Sequence, residues 1–288
     1  MTAVSIPSGG LFAAHLPRWI RGIRPTLVLS LLVLAVAASA AIAPGLWTHT
    51  DPLHADPLAA RQPPSLAHLA GTDIQGRDVL TRIVYGARFS LLIGLGATLV
   101  ALGLGAILGI VAGVGPRWAD QLVTRLVDVV AAFPEVLLAL LMIALSGRGA
   151  INLALALGVA GLPKYARTIR ATVQQTRCAG YVEQATTFGA SRWQRLVRHV
   201  LPNALGPLPV MVTIGFGGAI ISSSGLSFLG LGPQPPAAEW GLMLAESRNY
   251  LRQTWWTGVF PGVALTAVVM AATVLGRHLQ ERYERRLP

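Results

Sequence analysis

Glu135 interrupts the apolar run AAFPEVLLALLMIAL, and an ionisable group inside such a stretch is by default a functional residue of a substrate path or proton relay. Phe133-Pro134-Glu135 also has the form of a helix restart, with proline at the first position and the carboxylate near the positive end of the dipole. Both readings stand at this point. Ser222, Ser223 and Ser224 bring three hydroxyls together without a base nearby in sequence, which suits the lining of a polar path and not a nucleophile. The six histidines, at 15, 49, 54, 68, 199 and 278, include no pair at metal-binding spacing, and His49 and His54 with Asp51 and Asp56 fit a solvated loop. No phosphate loop of the form G-x-x-x-x-G-K-[ST] occurs, and the single lysine, Lys164, follows Leu162-Pro163. Cys178 stands alone and forms no internal disulfide. Neither catalytic residues nor metal ligands are therefore expected, which disfavours an embedded enzyme.

The residues that do form a pattern are cationic. In YVEQATTFGASRWQRLVRHVLPN, residues 181–203, Trp193, Leu196, Val197 and Val200 recur at i, i+3, i+4 and i+7 and share one side of a helix. Arg192, Arg195 and His199 fall on another side. Gly189 separates this helix from a shorter one carrying Glu183, and Leu201-Pro202-Asn203 is expected to end it. A short amphipathic helix with an arginine face suits a membrane surface or a docking partner. Glu183 is the sole acidic residue between Lys164 and Asn203, so its charge is not generic solvation.

Around this loop the chain is built for lipid. It is 53% hydrophobic and 12% charged, against about 25% charged in soluble domains. Its 31 glycines and 19 prolines are tolerated in membrane helices, where neighbouring helices satisfy backbone groups freed by a kink. The net charge of +11 does not point to nucleic acid, because the arginines sit at the ends of apolar runs and form no compact basic domain. They read as topology determinants.

Six transmembrane spans are expected, near 26–46, 89–114, 122–146, 149–171, 204–226 and 257–276. The expected organisation is a cytoplasmic arm over 1–25, a first span over 26–46, and an external segment over 47–88 with an amphipathic helix. A five-helix core over 89–276 follows, containing the loop 172–203, and then a cytoplasmic tail over 277–288. Ala-Ser-Ala-Ala in the first span resembles a signal cleavage site, but the apolar run continues to Trp47 and more spans follow, so it is read as an anchor. An internal amino terminus puts Arg18, Arg21, Arg24, Lys164, Arg167, Arg170, Arg177, Arg192, Arg195 and Arg198 on the cytoplasmic side. Arg277, Arg282, Arg285 and Arg286 join them there, as the positive-inside rule requires.

In the second span Ala101, Gly105, Gly109 and Gly113 stand four apart, a small-residue ridge for close packing within the bundle or against a second subunit. Ahead of it Leu80, Ile83, Val84 and Ala87 make an apolar stripe, and Asp78 and Arg82 are spaced as an i, i+4 pair. The fifth span combines Pro207 and Pro209 with Gly215, Gly217, Gly218 and the three serines. A polar path and simple packing explain it equally.

The loop, with Glu183-Gln184-Ala185, Gly189-Ala190-Ser191 and His199-Val200-Leu201-Pro202-Asn203, resembles the cytoplasmic "EAA" loop of binding-protein-dependent ABC importer permeases. Three further segments keep the same order: HLAGTDIQGRDVLTRIVYGARFSLLIG, ADQLVTRLVDVVAAFP and GLSFLGLGPQPPAAEWGLML. Over about residues 66–276 the chain is similar to the second permease of the dipeptide, oligopeptide and nickel importers. The resemblance implies an all-α, type I importer permease in a bacterial plasma membrane, with cytoplasmic coupling helices. It implies a homologous second permease, one or two ATPase subunits holding ATP and Mg, an external solute-binding protein, and no cofactor on this chain. Its docking motif falls on Glu183, Ala185, Gly189, Ala190, Ser191, Arg195, His199, Pro202 and Asn203. The chain departs from the pattern at Gln184, Thr186 and Thr187, in Thr176-Arg177-Cys178-Ala179-Gly180 before the loop, and in Arg-His-Leu-Gln-Glu-Arg after Gly276.

The function expected is therefore a non-catalytic translocation subunit for peptides, with nickel or a metal chelate as the alternative cargo. An ion-driven carrier is less well served, since it would carry more buried charge. The topology has a direct consequence. In a Cys178→Ser background, Arg192→Cys will react with an impermeant maleimide only in inside-out vesicles, and strong labelling in intact cells would reverse the orientation.

Overall fold

The computed structural model describes residues 25–284. The amino-terminal arm with Arg18, Arg21 and Arg24, and the tail residues Arg285 and Arg286, lie outside the described residues. Within them every secondary-structure element is a helix, and there is no strand.

Helix α1 (Pro25–Ile42) turns its small residues, Ser30, Ala37 and Ala40, inward and its leucines outward, and lies against α2 and α11. The segment that follows holds two short turns, Pro44–Leu46 and Pro57–Ala59; Asp51 and Asp56 accept hydrogen bonds there from the Leu53 and Leu58 amides. Helix α2 (Val79–Val114) is 36 residues long, about 54 Å, far beyond the ~30 Å of a bilayer core. The surface helix expected before span two is thus the first turns of span two itself. Asp78 caps it, accepting from the Thr81 amide at 2.8 Å, and Gly115-Pro116 stops it. The stripe of Leu80, Ile83, Val84 and Ala87 faces a protein core with Trp240, Met243 and Trp256, not a lipid surface.

The expected pair Asp78–Arg82 does not form. Asp78 instead meets His68 at 3.0 Å, and Arg82, 2% exposed, joins Asp73 at 2.7 Å and Glu246 at 3.0 Å. Arg77 bonds the same Asp73 at 2.6 Å. Two cations and two carboxylates thus form a buried, neutral cluster. Buried ion pairs persist only with partners, because an unpaired buried charge costs several kcal/mol.

Span three is broken. Helix α3 (Arg117–Ala131) and helix α4 (Glu135–Ser146) meet at 86°. Pro134 donates no hydrogen bond and drives the preceding Phe133 out of helical geometry, so the expected single span becomes a corner. Glu135 opens the new helix, as the restart reading requires. Helix α5 (Ala150–Arg177) follows; its carboxyl-terminal half carries Lys164, Arg167 and Arg170. Four helices, α1, α2, α9 (Leu208–Phe228) and α11 (Trp256–Glu284), are long and apolar enough to cross a membrane, five if α3–α4 is one span. The fourth expected span, α5, has the length but not the apolarity. Helix α10 (Trp240–Ser247) lies between α9 and α11, packed on both. The tail expected from residue 277 continues α11 as far as Glu284.

Helices α2 and α5 approach each other closely. A Cβ added to Gly109 would stand 2.7 Å from the Ala166 carbonyl oxygen, and one on Gly105 2.6 Å from Tyr165 Cβ. Gly113 approaches Val173 equally closely, and Gly158 returns the contact against Val100. The ridge therefore packs inside this chain. Gly109→Leu will lower the apparent melting temperature of the purified protein, by overpacking of about 1–3 kcal/mol; an unchanged melting curve would show that α2 and α5 are free to separate.

Candidate functional site

Beyond α5 the loop folds as helix α6 (Gly180–Thr187), a turn, and helix α7 (Arg192–Arg195), which runs on through a wide turn, Leu196–Val200, into α8 (Leu201–Ala204). Gly189 has φ +82° and nothing within 4 Å of an added Cβ, so the position needs glycine for its backbone and not for space. Ser191 and Gln194 form a reciprocal cap: Ser191 Oγ accepts from the Gln194 amide at 3.2 Å, and Gln194 Oε1 from the Ser191 amide at 2.9 Å. That S-x-x-Q signature was visible in the sequence and went unused. Arg195 ties the two helices together by donating to Thr186 Oγ1 at 2.6 Å.

Leu201-Pro202-Asn203 does not end the helix. Pro202 lacks an amide proton, and the ladder ahead of it widens so that the Leu201 amide bonds the Leu196 carbonyl. Asn203 Nδ2 donates to the His199 carbonyl at 2.7 Å, and the His199 ring lies 6.4 Å from that of Tyr181. The chain turns only after Ala204.

The expected apolar face divides. Val200 is buried with Val182, Ile169, Val173 and Ala204, and Leu196 packs against them, but Val197 and Trp193 are open, Trp193 at 71% exposure. Phe188, 89% exposed, adds a second bare aromatic ring. Ala185 and Ala190 are half-buried, while Glu183 is exposed and makes no ion pair among the described residues. Arg177 donates to the Gly113 carbonyl, and Leu102, Ala106, Ile110 and Val114 of α2 pack on the same cluster as Val182 and Val200. The loop is thus a rigid hairpin, bare on one side and keyed to α2 and α5 on the other.

A second polar feature lies within the bundle. A cavity of about 140 Å³ is lined by Glu135, Lys164, Tyr165, Thr98, Gly218 and Ser222, among others. Glu135 Oε1 stands 3.6 Å from the place of a Cβ on Gly161. Of the three serines only Ser222 reaches this cavity. Ser223 is buried and donates to the Ile220 carbonyl at 3.0 Å, and Ser224 packs its backbone on Gly241. Helical rotation of about 100° per residue separates them. The sequence reading treated Lys164 as a topology charge only; its place inside a candidate span was the signal that it lined something.

Toward the end of the bundle away from the hairpin, Glu239 is fully buried and caps α10, accepting from the Gly241 and Leu242 amides at 2.9 and 2.8 Å and from Ser90 Oγ at 3.2 Å. Burial raises its carboxyl above the usual range, opposed by those donors. Among the described residues no group of His, Cys, Asp and Glu could hold a metal ion.

Long apolar helices, a polar cavity between them and a keyed hairpin beyond them define a multi-pass membrane transport component. The chain belongs to the family of binding-protein-dependent transport system inner membrane components, matching it over residues 105–287. It is 37% identical over 254 residues to the dipeptide transport system permease protein DppC of Alkalihalophilus pseudofirmus, covering 88% of this chain and 84% of that protein. The di/tripeptide transport system permease protein DppC of Pseudomonas aeruginosa is 41% identical over 219 residues, 76% of this chain and 72% of that one. The probable D,D-dipeptide transport system permease protein DdpC of Escherichia coli is 35% identical over 93% of this chain and 90% of its own length. The fold is shared with a crystal structure of an amino acid ABC transporter with histidines (TM-score 0.56, 16% identity, 72% of this chain and 95% of that one). It is shared too with an inward-facing MetNI methionine ABC transporter (TM-score 0.57, 20% identity, 71% and 97%). The all-α, type I importer permease fold expected from the sequence is the one observed.

The Ser191–Gln194 cap predicts a local effect. Ser191→Ala will weaken the first turn of α7 by about 1 kcal/mol, read as faster hydrogen exchange at the Gln194 amide. Unchanged exchange there would mean that Thr186–Arg195 holds the turn alone.

Proposed function

We propose that this chain is the non-catalytic translocation subunit of an ATP-driven importer of di- and oligopeptides. The observation that carries the reading is the set of relatives, 35% to 41% identical, whose names are of dipeptide, di/tripeptide and D,D-dipeptide transport. Nickel or a metal chelate, the alternative cargo, has no such support. The chain pairs with a homologous permease that supplies the other wall of the path. A solute-binding protein delivers cargo outside, and one or two ATPase subunits holding ATP and Mg dock inside. Both termini and the hairpin face the cytoplasm.

Docking falls on the bare side of the hairpin: Glu183, Ala185, Gly189, Ala190, Ser191, Arg195, His199, Pro202 and Asn203, with Phe188 and Trp193 as aromatic anchors. Glu183 supports this, because it is exposed and pairs with neither Arg177 nor Arg192. Closure of the ATPases displaces the hairpin as a unit, and its packing on α2 and α5 passes the displacement to the helices around the cavity. Coupling then follows from the two ATPase states binding the hairpin differently.

In proteoliposomes the assembled complex will take up Ala-Ala with ATP and not with an ion gradient. Glu183→Ala and Gly189→Asp will leave the permease inserted and folded, weaken co-purification of the ATPase and abolish uptake. Asp at φ +82° adds roughly 1–2 kcal/mol of backbone strain, which a melting measurement separates from lost docking. Full uptake by both variants would remove the coupling role.

A further inference from the structure

We infer that the cavity within the bundle is a zwitterion subsite, in which Glu135 receives the α-amino group of a peptide and Lys164 its α-carboxylate. The inference rests on the peptide reading above and says where on the path the cargo is held, and by what.

Four helices, α2, α4, α5 and α9, converge on this cavity. Gly215, Gly218 and Ser222 recur along α9 at i, i+3 and i+7, and Leu157, Gly161 and Lys164 along α5 at i, i+4 and i+7. Gly218 stands at the middle of α9, about 15 Å from either end. The site is therefore level with the middle of α9, where charged side chains are placed facing a polar cavity and not lipid.

Neither Glu135 nor Lys164 enters an ion pair among the described residues, although they line the same cavity. Both side chains are exposed, and the neighbouring charges on α5 behave oppositely: Arg167 pairs with Asp128 and Arg170 with Asp120. Two opposite charges facing one space, held on different helices and not on each other, match a ligand that carries both signs at its ends. A cation or an anion alone would satisfy only one of them and meet repulsion from the other.

Size and shape limit what enters. On this chain alone a cavity of about 140 Å³ has room for the charged main chain of a dipeptide. The Tyr165 hydroxyl lodges against Gly215, so a side chain at 215 would collide with it, whereas an added Cβ on Gly218 meets nothing within 4 Å. Ser222 offers a hydroxyl with no hydrogen-bond partner among the described residues. Recognition by the two termini leaves the side chains unread, as a path for peptides of varied sequence requires.

Gly218→Cys, in a Cys178→Ser background, places a thiol in that open space as a reporter. In the assembled complex in proteoliposomes, Ala-Ala will slow its labelling by a maleimide. N-acetyl-Ala-Ala and Ala-Ala amide will each need about tenfold higher concentration for the same protection, the loss of one charge-assisted hydrogen bond. Glu135→Gln will erase the penalty for acetylation and keep that for amidation, and Lys164→Met will do the reverse. The comparison of the three peptides in the parent complex needs neither charge variant to fold. Equal protection by all three, penalties that survive both variants, or no protection by Ala-Ala in a complex that takes it up would each overturn the subsite. A complex that takes up no Ala-Ala would overturn the peptide reading, and the subsite with it.

Discussion

The contact on which the rest of the structure depends is the approach of α2 to α5 through glycine. Inside a bilayer no hydrophobic gain favours one helix pair over lipid, so close packing decides which faces meet. With Gly105, Gly109 and Gly113 admitting Tyr165, Ala166 and Val173 nearly to the α2 backbone, α5 has one permitted rotation. That rotation turns Gly161 and Lys164 toward α9 and the cavity. It also places Ile169 and Val173 under the hairpin, where Val182 and Val200 rest on them. Cavity and hairpin are thus two ends of a single packed pair, which gives displacement of the one a physical route to the other.

The end of the bundle away from the hairpin is held by different physics. Asp73, Arg77, Arg82 and Glu246 come from the segment before α2, its first turn and α10, and Arg82 also donates to the Ala237 carbonyl. Such a cluster adds little net stability over apolar packing, because desolvation of the charges offsets their attraction. Its directional bonds instead fix how α10 seats on α2, and the Glu239 cap with Ser90 repeats the arrangement one step deeper. The end away from the hairpin is locked by geometry, while the hairpin end is built from apolar contacts and a few exposed bonds.

What could be read in the sequence follows from which features are local. The spacing of four in the glycine ridge is a property of one helix, and so was legible; so were the Gly189 turn and the restart at Pro134-Glu135. The partners of Arg82 were not, because Glu246 is brought to it only by folding, and the nearer Asp78 offered a plausible but wrong pair. Periodicity placed Trp193 and Val200 on one face but could not say that α5 covers only the second. The serine triplet failed for a related reason: adjacent residues on a helix point in different directions, so a path takes Ser222 and leaves Ser223 and Ser224 to the bundle. The span count suffered from averaging, since α5 mixes a membrane-length helix with Lys164, Arg167 and Arg170.

Those same charges on α5 separate structural from functional use of polarity. Arg170 pairs with Asp120 through two bonds, and Arg167 with Asp128 at 2.8 Å, so each has a carboxylate from α3. Lys164, one turn nearer the middle of the bundle, has none. Distance along the helix does not explain the difference, because α4 brings Glu135 to the same cavity. The corner at Pro134 does explain it: by ending α3 at Ala131 and restarting the helix at 86°, it carries Glu135 off the α3 face that serves Arg167 and Arg170. A straight span three would have continued that row of pairs. The break therefore makes a pocket with two uncommitted charges out of what would otherwise be one more interhelical salt bridge.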